Sequence, residues 1–270
     1  MFPVGLTIAG SDNSAGAGAQ ADLKTMSALG VYGVTAITCV VAEVPGKVSA
    51  IQAIQPRIVA EQIRLLFEAF PIAALKTGML YSGEIINAVC DTLSVCLGES
   101  AHPPIVVDPV MVATSGDALL QRDAIALYRE RLFPMATLIT PNLDEVNTLL
   151  GQPVTTLDEM RMAGRQLAAT YDRAFLIKGG HLRTDPAIDM LCLPEGPVQE
   201  FSAPYVRGIS THGTGCTYAA AITAGLAKGL ALPEAVGAAK RFLSNAVTQF
   251  LRWTHNGRTT DALHHFAPRP

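Results

Sequence analysis

Near the C-terminal end the chain reads Ser210-Thr211-His212-Gly213-Thr214-Gly215-Cys216-Thr217, and the Ala- and Leu-rich stretch 218–230 that follows has the composition of a helix. Gly213 and Gly215 can take positive φ and let backbone N–H groups converge on an anion. The following helix aims its unpaired N–H groups and the positive end of its dipole at the same place. Cys216 stands at the helix start, where the dipole favours thiolate and is expected to lower the thiol pKa. A base or nucleophile would then sit beside a phosphate-sized pocket. The bland reading of the same residues is a Gly-rich turn with a small core cysteine.

Lys178 ends an apolar run and precedes Gly179-Gly180-His181. That places a cation where a transferring phosphoryl group needs neutralising, although a strand-end lysine can equally snorkel to solvent. Asp108, Asn142 and Glu145 are oxygen ligands suited to Mg²⁺, which takes few protein or phosphate oxygens and keeps waters. Asp144 and Glu145 also suit the first turn of a helix, where the dipole favours carboxylates. The loop Gly10-Ser11-Asp12-Asn13-Ser14-Ala15-Gly16-Ala17-Gly18 does not complete a G-x-G-x-x-G fingerprint, and no G-x-x-x-x-G-K-[ST] occurs. Nucleotide phosphates, if bound, therefore fall to the 213–216 turn. His264 and His265 have no carboxylate or cysteine at ligand spacing and read as tail packing.

These groups need a scaffold. Apolar runs of strand length, at 4–9, 34–41, 73–76, 105–108, 138–140 and 175–178, alternate with helix-length stretches at 20–29, 57–70, 82–97, 123–132, 143–150, 157–171, 217–227 and 233–251. Such alternation predicts an α/β domain with a mostly parallel sheet, covered on both faces and spanning residues 1–270. Segments 189–193 and 198–203, around Pro194-Glu195-Gly196, predict small antiparallel edge strands, and the tail 256–270 is expected to be loosely held. Ligands in such sheets gather beyond the strand carboxyl ends, which is where the polar residues above lie.

Composition narrows the partners. The 270 residues are 49% hydrophobic with a formal net charge of −3, which gives no long-range field for nucleic acid or an anionic membrane. Five scattered cysteines with no C-x-x-C spacing argue against a disulfide framework or a zinc site and fit a cytoplasmic, reducing setting. The uncharged runs 25–42 and 208–227 fail as membrane spans because glycines and polar residues break them. No basic leader precedes the first apolar run.

Taken in order, Ala9-Gly10-Ser11-Asp12, Gly16-Ala17-Gly18-Ala19-Gln20-Ala21-Asp22, Lys76-Thr77-Gly78-Met79-Leu80, Val107-Asp108-Pro109-Val110-Met111, Thr140-Pro141-Asn142, Lys178-Gly179-Gly180-His181 and His212-Gly213-Thr214-Gly215-Cys216 closely resemble the hydroxymethylpyrimidine/phosphomethylpyrimidine kinases of thiamine biosynthesis. These belong to the ribokinase-like superfamily. The resemblance implies a three-layer α/β/α fold, ATP and Mg²⁺ as cosubstrates, and phosphoryl transfer to a hydroxymethyl group and then to the resulting monophosphate. It puts the aminopyrimidine near Gly10, Asp22, Glu43, Met79 and Val107, and the nucleotide near Asn142, Lys178, His212, Gly213 and Gly215. Asp108 and Glu145 are expected at the metal. Cys216 becomes the general base, Gly213, Thr214 and Gly215 the anion hole, and Lys178 the group that stabilises the moving phosphoryl. A homodimer is implied by resemblance alone.

Two departures stand out. Ala15-Gly16 replaces a pair of adjacent glycines, and Val44-Pro45-Gly46-Lys47-Val48 replaces an Asn-Thr-x-Gly-Val flap after Glu43. Pyridoxal kinase is the alternative in the same superfamily, since its substrate also carries a hydroxymethyl group on a flat heteroaromatic ring. A non-catalytic pyrimidine-binding module is the alternative of another class, and retention of Cys216, Lys178, Asn142 and Asp108 argues against it.

Overall fold

A computed structural model describes residues 2–98, 102–111, 122–209 and 212–266. The chain runs β1 (Val4–Asp12), α1 (Gly18–Ala28), β2 (Tyr32–Val44), β3 (Lys47–Ala53), α2 (Pro56–Ala69), β4 (Ile72–Thr77), α3 (Gly83–Leu97) and β5 (Ile105–Val107). It continues with α4 (Arg122–Leu127), β6 (Leu138–Ile139), α5 (Leu143–Leu150), α6 (Leu157–Tyr171), β7 (Ala174–Lys178), β8 (Ala187–Cys192) and β9 (Gln199–Ala203). The last elements are α7 (Thr214–Ala227), α8 (Leu232–Thr248), β10 (Leu251–His255) and β11 (Arg258–Ala262).

Among the described residues, nine strands form one sheet in the order β3-β2-β1-β4-β5-β6-β7-β8-β9. The six strands from β2 through β7 in that order are parallel, and β3, β8 and β9 add antiparallel edges. Strand periodicity divides the core: Phe175 and Ile177 of β7 face one helical layer, while Ala174 and Leu176 face the other. Phe133 packs edge-on against Phe175 with ring centroids 5.9 Å apart, an arrangement worth roughly 0.5–1.5 kcal/mol beyond the area it buries.

Local sequence explains the helices that flank the site. Asn142 and Thr156 each begin a capping box, at α5 and α6, and Gly151 closes α5 in the left-handed region. Every residue of α7 from Thr217 to Gly225 is buried. Its small side chains let α1 and α8 pack closely on either side, so the helix is apolar all round instead of amphipathic. At Gly225 a Cβ would meet the Ala235 Cβ at 2.9 Å.

Four differences from the sequence reading have physical causes. The stretch after Glu43 is a β2–β3 hairpin, turned by Gly46 at φ +81°, in which polar Lys47, Ser49 and Gln52 occupy an edge strand that apolar periodicity does not reveal. Residues 128–132 widen into a π-helical turn after α4. Helix α8 stops at Thr248, because the chain leaves it to form β10.

The tail is not loosely held up to residue 266. Strands β10 and β11 pair, Leu263 and His265 are buried, and His265 Nε2 lies 3.0 Å from Thr217 Oγ1. Residues 267–270 of that expectation lie outside the described residues. Among the described residues no helix is long and apolar enough to cross a membrane.

Candidate active site

The carboxyl ends of β1, β4, β5 and β7 converge on the first turn of α7. Gly213 caps this helix at φ +82°, and a Cβ there would stand 1.8 Å from the Gly16 carbonyl oxygen. The turn thus rests directly on the first loop, and only glycine fits. Ser210 and Thr211, which open the motif, lie outside the described residues.

One step into the helix, a Cβ on Gly215 would meet Lys178 Nζ at 3.3 Å and Asp108 Oδ2 at 3.5 Å. Lys178 Nζ donates to Asp108 Oδ1 at 2.8 Å, and Thr140 Oγ1 donates to the same oxygen at 3.2 Å. Burial alone would depress the Lys178 ammonium, but Asp108 and Glu145 outweigh it and hold the pKa up. The strand-end lysine therefore stays charged beneath the turn instead of snorkelling away.

Asn142 forms a bridge with Lys178 and caps α5: its Oδ1 accepts from Glu145 N–H at 3.0 Å, and Glu145 Oε2 accepts from Asn142 N–H at 2.8 Å. The helix-start reading of Glu145 is thus correct in its geometry. Yet Glu145 is buried, and burial, with Asp108 adding to it against Lys178, pushes its carboxyl up to about 8. Asp144 points elsewhere, pairing with His181 Nδ1 at 3.0 Å on the surface.

Cys216 is half-buried in the first turn of α7, facing the Gly18 backbone at the start of α1. The expected lowering of its thiol pKa does not occur: burial pushes it up to about 11, with Lys76 opposing. Desolvation of the thiolate outweighs the Lys76 ammonium and the Gly18 backbone, so the resting group is a thiol.

Toward β1 and β2 the cleft changes character. A Cβ on Gly10 would lie 2.8 Å from Cys39 Sγ and 3.7 Å from Met79 Sδ, so the three pack against one another; Cys39 is wholly buried and Met79 is partly exposed. Thr38 Oγ1 donates to the Met79 carbonyl at 2.7 Å and holds that residue in place. Glu43 is half-buried on β2, with its N–H donating to Asn13 Oδ1 at 2.7 Å; burial and then Asp12 push its carboxyl up.

Two residues expected at the ring are placed differently. The Asp22 carboxylate is wholly buried, accepting from Thr7 Oγ1 at 2.6 Å and from Lys76 Nζ at 2.9 Å on both oxygens, which leaves it covered by protein. The Val107 side chain lies in the core, and its carbonyl accepts from Thr140 N–H at 2.9 Å.

Sequence reasoning gave no role to Asp12 or Lys76. Asp12 Oδ2 accepts from Ala17 N–H at 2.8 Å and lies 2.9 Å from His212 Nε2, while Oδ1 accepts from Ser14 N–H at 2.7 Å. Burial opposes ionisation of Asp12, but these bonds prevail and lower its pKa to about 2; the Asp12 bond in turn raises that of His212. The ligating atoms of Asp12, Glu43 and His212 all lie within 4.8 Å of one another, so the first loop, the hairpin and the anion turn meet there. A lysine inside the apolar run Ala73-Ala74-Leu75-Lys76 is the one signal that could have exposed a buried ion pair.

The family described as phosphomethylpyrimidine kinase matches residues 12–261. The hydroxymethylpyrimidine/phosphomethylpyrimidine kinase of Rhizobium meliloti is 44% identical over 269 residues, with 98% of each chain covered. The thiamine biosynthesis bifunctional protein ThiED of Geobacter sulfurreducens is 42% identical over 248 residues, which are 91% of this chain but only 50% of that longer relative. Among solved structures, an ADP complex of Bacillus subtilis pyridoxal kinase superposes with a TM-score of 0.88 at 34% identity, covering 99% of this chain and 98% of that one.

Proposed function

The chain belongs to the phosphomethylpyrimidine kinase family and has its ribokinase-like fold, and from that membership we propose that it transfers the γ-phosphoryl group of ATP to 4-amino-5-hydroxymethyl-2-methylpyrimidine and then to the monophosphate, for thiamine biosynthesis. We read residues 1–270 as one kinase domain, acting as a homodimer. The observation that carries the reading is the convergence of Lys178 Nζ and Asp108 Oδ2 within 3.5 Å of the Cβ position of Gly215, at the mouth of an anion-binding helix.

In this reading the pyrimidine lies against Met79 near Gly10, with Glu43 accepting from its exocyclic amine and Val107 in the sheet beneath. Asp22 supports the floor from below. Cys216, as thiolate, takes the hydroxyl proton, while the N–H groups of Gly213, Thr214 and Gly215 hold the phosphate oxygens. Lys178 follows the moving phosphoryl charge, and Asn142 and His212 border the nucleotide. Phosphoryl transfer is largely positioning and charge stabilisation, so this division of labour is sufficient.

Mg²⁺ fits the donor set. Asp108 and Glu145 are two buried carboxylates at one end of the cleft, and oxygen ligands of this kind suit a hard divalent cation. Asp108 and Glu145 would hold the ion, which supplies charge neutralisation at the phosphates when bound.

A second reading, pyridoxal kinase, is favoured by the close superposition on the Bacillus subtilis enzyme. ADP release measured side by side on the pyrimidine, its monophosphate and pyridoxal tests both. Turnover of the two pyrimidines is expected to dominate; a clear preference for pyridoxal overturns the choice, and no ADP release on any of the three overturns the kinase reading. Sedimentation of the purified protein at twice the chain mass is expected for the dimer.

A further inference from the structure

The C-terminal hairpin has no part in the chemistry proposed so far. Strands β10 and β11 are almost wholly exposed, and a two-stranded hairpin is marginal on its own in water, so apolar burial does not account for it. Polar contacts anchor it instead. Arg252 of β10 donates from Nε to Asp261 Oδ1 at 2.6 Å and from Nη2 to Oδ2 at 2.8 Å, across a paired position of the hairpin, and Nη2 also donates to the Gly208 carbonyl at 3.2 Å. Beyond β11 the chain turns back onto the helices: Leu263 is buried, and His264 N–H donates to the Ala246 carbonyl of α8 at 3.1 Å. His265, 2% exposed, then brings Nε2 to 3.0 Å from Thr217 Oγ1.

These two contacts fall on either side of the anion turn. Gly208, at φ +75°, precedes it; Thr217 follows it, and the Thr217 N–H donates to the Gly213 carbonyl at 2.9 Å, closing the first turn of α7. The amides proposed to hold phosphate come just before this bond, in the part of a helix whose N–H groups have no acceptor in a preceding turn. Thr217 is wholly buried, so its hydroxyl must be satisfied inside the protein, and the His265 ring is what satisfies it.

We propose that the C-terminal hairpin clamps the anion turn from both sides, with His265 and Arg252 as positioning residues that hold its amides in place for the nucleotide phosphates. The proposal rests on the placement of phosphate at Gly213, Thr214 and Gly215 in the proposed function. His265 fixes the helix side through Thr217, and Arg252 fixes the incoming side through Gly208; both act through the turn and not on the substrate. Phosphoryl transfer depends on positioning, so a small displacement of the groups that bind phosphate is costly. The buried His265 contact is the stronger tie, because the Arg252 side chain is 47% exposed and its bonds are weakened by water and salt.

The test is steady-state kinetics of the full-length protein, with ATP and the pyrimidine varied separately, beside hydrogen exchange of the peptide covering residues 212–219. Thr217→Val keeps the shape of the side chain and removes only the hydroxyl. It is expected to raise KM for ATP about tenfold, with KM for the pyrimidine changed less than about threefold, and to speed exchange in that peptide. Thr217→Ser, which restores the hydroxyl, should return both KM values to near the parent's. His265→Ala should act as Thr217→Val does, and the double variant should be no worse than the poorer single, since all three remove one contact. Arg252→Gln should move KM for ATP the same way by about threefold.

A parental KM for ATP in Thr217→Val with wild-type circular dichroism overturns the proposal. So does an equal rise in both KM values, or a fall in kcat alone, which is what a smaller folded fraction would give. Should His265→Ala fail to fold, Thr217→Val and Arg252→Gln decide. Failure of the wild-type protein to release ADP would instead overturn the proposed function, while exchange in residues 212–219 would still report whether the hairpin holds the turn.

Discussion

The α-carbon of Gly213 is seated on the carbonyl of Gly16 so closely that any β-carbon would stand 1.8 Å from that oxygen, and the backbone there sits at φ +82°. The anion turn and the first loop are therefore one unit, although 197 residues of sequence separate them. Gly213→Ala must push the two apart. We expect it to cost at least about 1–3 kcal/mol, from strained backbone plus the clash, and to reduce kcat/KM more than tenfold. Chemical denaturation and steady-state assays measure the two effects; a variant of parental activity would show that the turn tolerates displacement.

Cys216→Ala should leave pyrimidine and nucleotide binding by calorimetry nearly unchanged while lowering turnover by about two to four orders of magnitude, the usual range for a positioned acid–base group. Parental turnover in this variant would remove the sulfur from the mechanism.

The bond between Asp12 and His212 makes stability depend on pH in two windows. Asp12, lowered to about 2, contributes stability that is present above its unfolded pKa and lost as pH falls from about 4 toward 2, at most about 2 kcal/mol for such a shift. His212 is raised by the same bond, so its contribution is complete below about 6.5 and is lost as pH rises through the folded value. Asp12→Asn should flatten both limbs in urea titrations, and limbs as steep as the parent's would contradict the coupling.

His265 has the opposite sign. Burial lowers its pKa to about 4, so the folded state resists its protonation and stability falls by up to about 3 kcal/mol as pH drops from about 6.5 to 4. His265→Gln should abolish that decline. It should also cost about 1–3 kcal/mol at neutral pH if Thr217 is left without a partner. Denaturation midpoints at several pH values measure both.

Ala15 occupies φ +57°, a conformation that costs an alanine roughly 1–2 kcal/mol. Ala15→Gly, which removes that strain, should raise the melting temperature; a lowered one would mean that the methyl group stabilises the loop by packing.

Much of this molecule is legible in its sequence because the deciding signals are local. Apolar runs such as 175–178 end at the polar residues they position, and the Asn142 to Glu145 spacing specifies a capping box that the structure forms. Strand β3 escaped because an edge strand exposed on one side carries little apolar pattern. Strands β10 and β11, almost wholly exposed, escaped for the same reason.

The site divides along the same line. Residue types and order determined where an anion, a cation and a thiol would gather, since each stands at a strand or helix end whose position follows from periodicity. Only the tertiary structure decided what each group experiences there. Burial holds the Cys216 thiol up to about 11 despite Lys76, and Asp22 is withdrawn from the cleft by Lys76, fifty-four residues away along the chain. Burial and charge pairing are sums over neighbours that folding brings together from distant sequence, and so the protonation state of a residue cannot be read from the residues beside it.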